Sequence, residues 1–177
     1  MMRETTRLLL RPWHESDAED CYRYASDPFV GSIAGWPVHT SVENSREIIK
    51  TVLSKPDTFA VVLKEKPDEV VGSVGVFSTD APGAAGESEI GYWIGRPFWG
   101  RGLIPEAVRE LLRYCFEEKG AQRVWCSHYI GNEKSKRVIE KCGFSYELKR
   151  EMPTLVDNAP RLTLFYTLTK EKWEETR

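Results

Sequence analysis

Histidine is scarce and cysteine only modest in this chain: three and four residues among 177. Cys21, Cys115, Cys126 and Cys142 form no Cys-x-x-Cys pair, and His14, His39 and His128 are equally scattered. That spacing argues against a zinc site, a disulfide framework and a catalytic triad, and leaves the thiols as small core hydrophobes. Free thiols, in a chain whose start Met1-Met-Arg-Glu-Thr-Thr-Arg-Leu-Leu-Leu-Arg lacks the apolar stretch of a signal peptide, point to the cytoplasm. No apolar run approaches the roughly 18 residues of a membrane span. There is also no excess of positive charge: 25 basic against 27 acidic residues, net −2, which argues against a broad nucleic-acid-binding field. Two familiar phosphate motifs are missing as well. No Gly-x-x-x-x-Gly-Lys-Ser/Thr run occurs, and Gly100-Arg-Gly102 is followed by Pro105 where a dinucleotide fingerprint needs glycine or alanine.

What is present is a strand, a glycine-rich connection and a helix in succession. Glu89-Ile-Gly-Tyr-Trp-Ile94 is β-branched and aromatic at a period near two, and reads as a strand. Gly95-Arg-Pro-Phe-Trp-Gly-Arg-Gly102 is irregular. Ala107, Val108, Leu111, Leu112 and Cys115 then recur at helical spacing, opposite Glu106, Arg109, Glu110 and Arg113. The first turn of a helix has unpartnered N–H groups and partial positive charge, and glycines before it let a ligand approach the backbone. A phosphate or pyrophosphate suits such a turn, although Gly100 and Gly102 could equally make no more than a tight turn.

The remaining elements follow from pattern. Arg7–Trp13 reads as a strand, and Ser16-Asp-Ala-Glu19 has capping-box spacing before a helix with a stripe of Ala18, Cys21, Tyr22 and Ala25. The stretch from Phe29 to His39 holds Gly31, Gly35 and Pro37 and reads as a loop. Its aromatics Phe29 and Trp36 are either substrate walls or anchors under the loop. A second capping box, Thr40-Ser-Val-Glu43, opens a helix to about Ser54. Thr58–Lys64 and Val70–Phe77 form an antiparallel hairpin, in which Gly72 and Gly75 hint at a bulge or close backbone approach. A strand at Arg123–His128 precedes a short helix with Asn132 as N-cap and Gly143 at its end. A closing hairpin spans Phe144–Met152 and Arg161–Thr169, and residues 170–177 are a charged tail.

Glu89-Ile-Gly-Tyr-Trp-Ile with Phe98-Trp-Gly-Arg-Gly-Leu-Ile-Pro-Glu-Ala-Val resembles the acetyl-CoA-binding segment of the GNAT (Gcn5-related) N-acetyltransferases, and within them the Rim-type ribosomal-protein N-terminal acetyltransferases. Trp99 stands at the first loop position, as in the Rim-type branch, and Gly102 at the central glycine. Ile104 and Pro105 depart from the usual small residue and Thr or Ser. Asn132, Ser135, Lys141, Gly143 and Phe144 match a second family pattern. The resemblance implies one α/β (α+β) domain over residues 1–177, with a mixed, mostly antiparallel sheet of about seven strands flanked by about four helices.

It further implies acetyl-CoA as co-substrate, no metal, and transfer to a primary amine by direct attack in a ternary complex. Pantetheine would lie between the strands Glu89–Ile94 and Val124–His128, with Ile94, Trp99, Gly100, Arg101, Gly102, Leu103, Ile104, Asn132 and Ser135 around the cofactor. Glu89 is the expected base, acting through a water, Ser135 the partner of the sulfur, and the backbone around Tyr92 and Trp93 the oxyanion donor. Phe29 and Trp36 are candidate acceptor contacts. The resemblance favours a protein N-terminal α-amine, such as a ribosomal protein's. A polyamine, amino acid or aminoglycoside is the alternative, and a CoA-binding module without catalysis stands outside both. No direct contact with nucleic acid or membrane is expected, and monomer and homodimer remain open.

Overall fold

The computed structural model describes residues 2–176. Its frame is one eight-stranded sheet in the order β1-β2-β3-β4-β5-β6-β8-β7. The strands are β1 (Arg3–Glu4), β2 (Leu8–Arg11), β3 (Thr58–Leu63), β4 (Lys66–Ser78), β5 (Ser88–Ile94), β6 (Arg123–Tyr129), β7 (Ser145–Pro153) and β8 (Pro160–Thr169). Every pairing is antiparallel except β5 with β6. β3 shows why two layers form: Phe59, Val61 and Leu63 enter one core and Ala60 and Val62 the other, as a period of two demands. The expected β3–β4 hairpin carries a register shift that leaves Val71 unopposed, beside Gly72.

One core lies under α4 (Leu103–Arg113) and α5 (Glu133–Lys141). The whole predicted stripe of α4 is buried, together with Leu103 and Ile104. The second core packs α1 (Ala18–Ala25) and α3 (Val42–Ile48) on the opposite face, around Trp13, Cys21, Ile49 and Val62. All four thiols are buried, and burial pushes Cys21 and Cys115 up to about 12. They are inert core groups. No helix among the described residues is long and apolar enough to cross a membrane.

Several local expectations need correction. The loop expected from Phe29 contains α2 (Pro28–Ala34), with the Asp27 carboxylate accepting from Phe29 N–H at 2.9 Å and Gly35 ending it in the left-handed region. Gly31 sits inside this helix for packing: a Cβ there would lie 2.7 Å from the Trp36 ring. Ser16 is not a cap but lies inside the 3₁₀ turn Glu15–Asp17, whose Asp17 carboxylate accepts from His14 N–H. The α3 cap is Ser41, one residue after Thr40: its Oγ accepts from Asn44 N–H, and Asn44 Oδ1 accepts from Thr40 N–H. Tyr24, more than Tyr22, faces inward from α1. The charged tail forms α6 (Lys170–Glu175), because Trp173 packs on Phe116 at 5.1 Å between ring centroids.

Candidate active site

β5 and β6 pair at only two positions, Ser88 with Val124 and Glu89 with Trp125. Beyond Glu89 the two strands separate, and the sheet opens into a wedge whose narrow end is Glu89. Three contacts fix which backbone groups face it. Gly95 N–H donates to Val71 O in β4 at 2.8 Å, whereas Ile90 O accepts from Cys126 Sγ and Ile94 O from Trp99 Nε1. N–H groups alternate sides along a strand, so those of Ile90, Tyr92 and Ile94 face the wedge and those of Gly91 and Trp93 face β4.

Side chains alternate in the other direction and divide the wedge between two faces. Glu89 and Trp93 point toward α1, α2 and α3. Glu89 is 5% exposed; its Oε1 accepts from Ser127 Oγ and its Oε2 from Thr79 Oγ1, both at 2.5 Å. Burial raises the Glu89 carboxyl above its usual range, although both hydroxyls favour the charged form. Trp93 stacks on Trp13 with centroids 6.2 Å apart and tilts against Trp36 at 5.9 Å. Tyr129, at the end of β6, fills the space beside Gly35 and lies under the Arg161 guanidinium. Phe29 is farther out: 55% exposed, with Arg96 over its ring and bound to Asp27.

On the opposite face, Tyr92 reaches α5. Its hydroxyl lies 2.8 Å from Ser135 Oγ and donates to Ser135 O at 3.2 Å. Burial drives the Tyr92 phenol well above its ordinary value, so it keeps its proton. Asn132 Oδ1 accepts from Ser135 N–H at 3.2 Å as the predicted N-cap. Its amide nitrogen has no partner among the described residues.

The glycine-rich loop lies between these faces, at the start of α4. Gly100 and Gly102 have φ of 76° and 73°. In the left-handed region a side chain costs about 1–2 kcal/mol, which explains glycine at both positions. Among the described residues, the N–H groups of Gly100, Arg101, Gly102, Leu103 and Ile104 donate to no protein acceptor. Ile104 and Pro105 are buried in the core, so neither side chain fills the loop. Trp99 donates to Ile94 O and carries Lys134 over its ring, 4.5 Å from the centroid. Arg101 pairs with Glu65 at 3.0 Å.

An open strand edge, a row of unpaired N–H groups and a helix N-terminus together fit a phosphorylated pantetheine arm. The family comparison agrees. Residues 7–145 match the acetyltransferase (GNAT) domain. The chain belongs to the GNAT family. It is 41% identical to YdaF of Bacillus subtilis, a candidate ribosomal N-acetyltransferase, over 88 residues that span 50% of this chain and 48% of that protein. It is 23% identical to the [ribosomal protein uS5]-alanine N-acetyltransferase of Escherichia coli, covering 97% of this chain and 80% of that one. An acetyltransferase of the GNAT family from Bacillus anthracis superposes with a TM-score of 0.83 at 24% identity, over 97% of this chain and 99% of that one, which establishes the fold. As a GNAT member the protein is an N-acetyltransferase that uses acetyl-CoA.

Sequence reading missed Ser127 and Thr79, which hold the Glu89 carboxylate, and Arg7 and Glu106, which flank the loop. Ser127 had a signal, two residues beyond Trp125 on the strand facing β5. Arg7 and Glu106 had none, since their contact spans 99 positions of chain.

Proposed function

We propose that this GNAT protein acetylates the α-amine of a protein N-terminus, of the ribosomal-protein kind, with Glu89 as base. What carries the reading is the division of the wedge: the buried Glu89 carboxylate at its narrow end lies on one face, and the Tyr92–Ser135 hydroxyl pair on the other. An amine entering past Trp36 and Trp93 would reach the acyl carbon from the Glu89 side, with the sulfur toward α5.

Acetyl-CoA, when bound, supplies an acyl group on a good leaving group. An α-amine with a pKa near 8 is roughly one-tenth neutral at pH 7, whereas a lysine amine is neutral in fewer than about one in a thousand molecules. Glu89 removes the proton released as the amine attacks, through a water, using a carboxylate lone pair left free by Thr79 and Ser127. Tyr92 N–H is the proposed donor to the carbonyl oxygen as charge develops there, because the Trp93 N–H faces β4. Ser135 Oγ turns its proton from the Tyr92 hydroxyl to the departing sulfur, which with a pKa near 8.5 needs little help. Gly100 to Ile104 hold the pyrophosphate, and Asn132 the pantetheine arm.

Two observations favour a peptide over a polycation. Asp27 is the sole acid between residues 27 and 39, and it is neutralised by Arg96 while capping α2. The walls above Glu89 are aromatic: Trp36, Trp93 and Tyr129. The relatives named for ribosomal substrates point the same way. A panel of acceptors tests the reading, with products located by mass spectrometry. Peptides with a free N-terminus should gain one acetyl group on the α-amine. Acetylation confined to spermidine, amino acids or aminoglycosides would replace it with the small-amine reading.

A further inference from the structure

Arg7 lies outside the wedge, yet it holds the phosphate loop from behind. Its Nη1 donates to Arg101 O at 2.9 Å and its Nη2 reaches Gly102 O at 3.2 Å. Its Nε donates to Glu106 Oε2 at 2.7 Å, and its backbone N–H to Glu106 Oε1 at 2.8 Å. Thr5 Oγ1 donates to the same Glu106 oxygen at 2.5 Å. The connector between β1 and β2 is thus bound to both the loop and the first turn of α4.

We infer that Arg7 is a positioning residue for the pyrophosphate of acetyl-CoA, acting through the loop backbone rather than by touching the ligand. The peptide unit is planar, with C=O and N–H on opposite sides. Drawing the carbonyls of Arg101 and Gly102 toward Arg7 turns the N–H groups of Gly102 and Leu103 the other way, toward the ligand side. The guanidinium also covers two carbonyl dipoles and the Glu106 carboxylate, all of which would otherwise repel a phosphate. Burial works against an ionised Glu106, but hydrogen bonds from Thr5 and Arg7 hold its carboxyl below the usual range. The charge is therefore present at neutral pH and has to be masked. An acid in the first turn of a helix complements the dipole of the free protein, and Arg7 makes that choice compatible with an anionic ligand.

The inference rests on the loop being the seat of the pyrophosphate, and the test separates the two. Dissociation constants for CoA and for pantetheine, which lacks the phosphates, are obtained from ligand-induced shifts in unfolding temperature and need no acceptor. The wild type should prefer CoA strongly; equal affinity for both would remove the phosphate from the loop altogether. Given that preference, Arg7→Ala should weaken CoA by about tenfold or more, the scale of lost charge-assisted hydrogen bonds, with pantetheine unchanged. Arg7→Lys keeps the charge but cannot fork across two carbonyls, so it should fall between the two. It also serves if the alanine variant does not fold. Equal loss for both ligands, or none for either, would reduce Arg7 to a structural tie.

Discussion

Ser127 Oγ donates to Glu89 Oε1 at 2.5 Å, just past the last paired rung of β5 and β6, so that a buried carboxylate closes the narrow end of the wedge. The hydrogen bond favours the charged form while burial opposes it, and burial dominates. As the proposed base, Glu89 would be active once deprotonated, so the rate should rise with pH through a value above the ordinary carboxylate range.

Removing Ser127 or Thr79 should move that limb further. Each hydroxyl lowers the Glu89 pKa, so Ser127→Ala and Thr79→Ala should both shift the acidic limb of kcat/KM to higher pH. A pH–rate profile for each variant checks the direction. A shift to lower pH would mean that the titrating group is not Glu89.

Gly102→Ala should be folded but weakened. A φ of 73° disfavours any side chain, by about 1–2 kcal/mol, while the nearest obstacle to a new Cβ is an Arg7 nitrogen 3.7 Å away. The cost should therefore be strain, not collision. Urea unfolding should show a loss of that size, and CoA affinity should fall with it as the loop relaxes. A large collapse in stability would contradict the packing described here.

Trp36→Ala should separate acceptor from donor. Trp36 stands against Trp93 on the Glu89 face, away from the glycine loop. The KM for a peptide acceptor should rise, while the CoA dissociation constant stays as in wild type. Loss of both in equal measure would make Trp36 a core anchor and not a wall.

Acid should destabilise the fold through a different set of groups. Hydrogen bonds and ion pairs hold the carboxyls of Glu69 and Glu87 below their ordinary values; at Asp57 burial opposes ionisation, but Lys119 and Tyr114 outweigh it. A depressed pKa contributes stability above the unfolded value that is lost as pH falls through the folded one. Glu89 has the opposite sign, since its raised pKa makes the charged form a cost above that value. The urea midpoint should therefore drop between pH 5 and pH 3, and by more in Glu89→Gln, which lacks the opposing Glu89 contribution, than in wild type. A midpoint flat over that range would contradict the ion-pair assignments.

The chemistry-bearing stretch was readable because it is local: strand, glycines and helix lie within Glu89–Phe116, and Asn132 and Ser135 lie within one turn of each other. Long-range relationships were not. Tyr92 and Trp93 looked alike as backbone donors, and only the register with β4 separates them. Arg7 and Glu106 meet across 99 residues, beyond the reach of any spacing rule. The α2 helix was legible in Asp27-Pro28 at one end and Gly35 at the other, but Gly31 obscured it, because a glycine required by the Trp36 ring looks the same as one that breaks a helix.

The central claim is that Glu89 is the base for acetyl transfer within the wedge. The most direct test is the pH dependence of kcat/KM for one peptide acceptor with the wild-type protein and with Glu89→Gln, alongside CoA affinity for both. The amide should keep the fold and the CoA affinity, lose about a hundredfold or more in rate at neutral pH, and lose the acidic limb. Equal rates and equal profiles would contradict the account and move the base elsewhere.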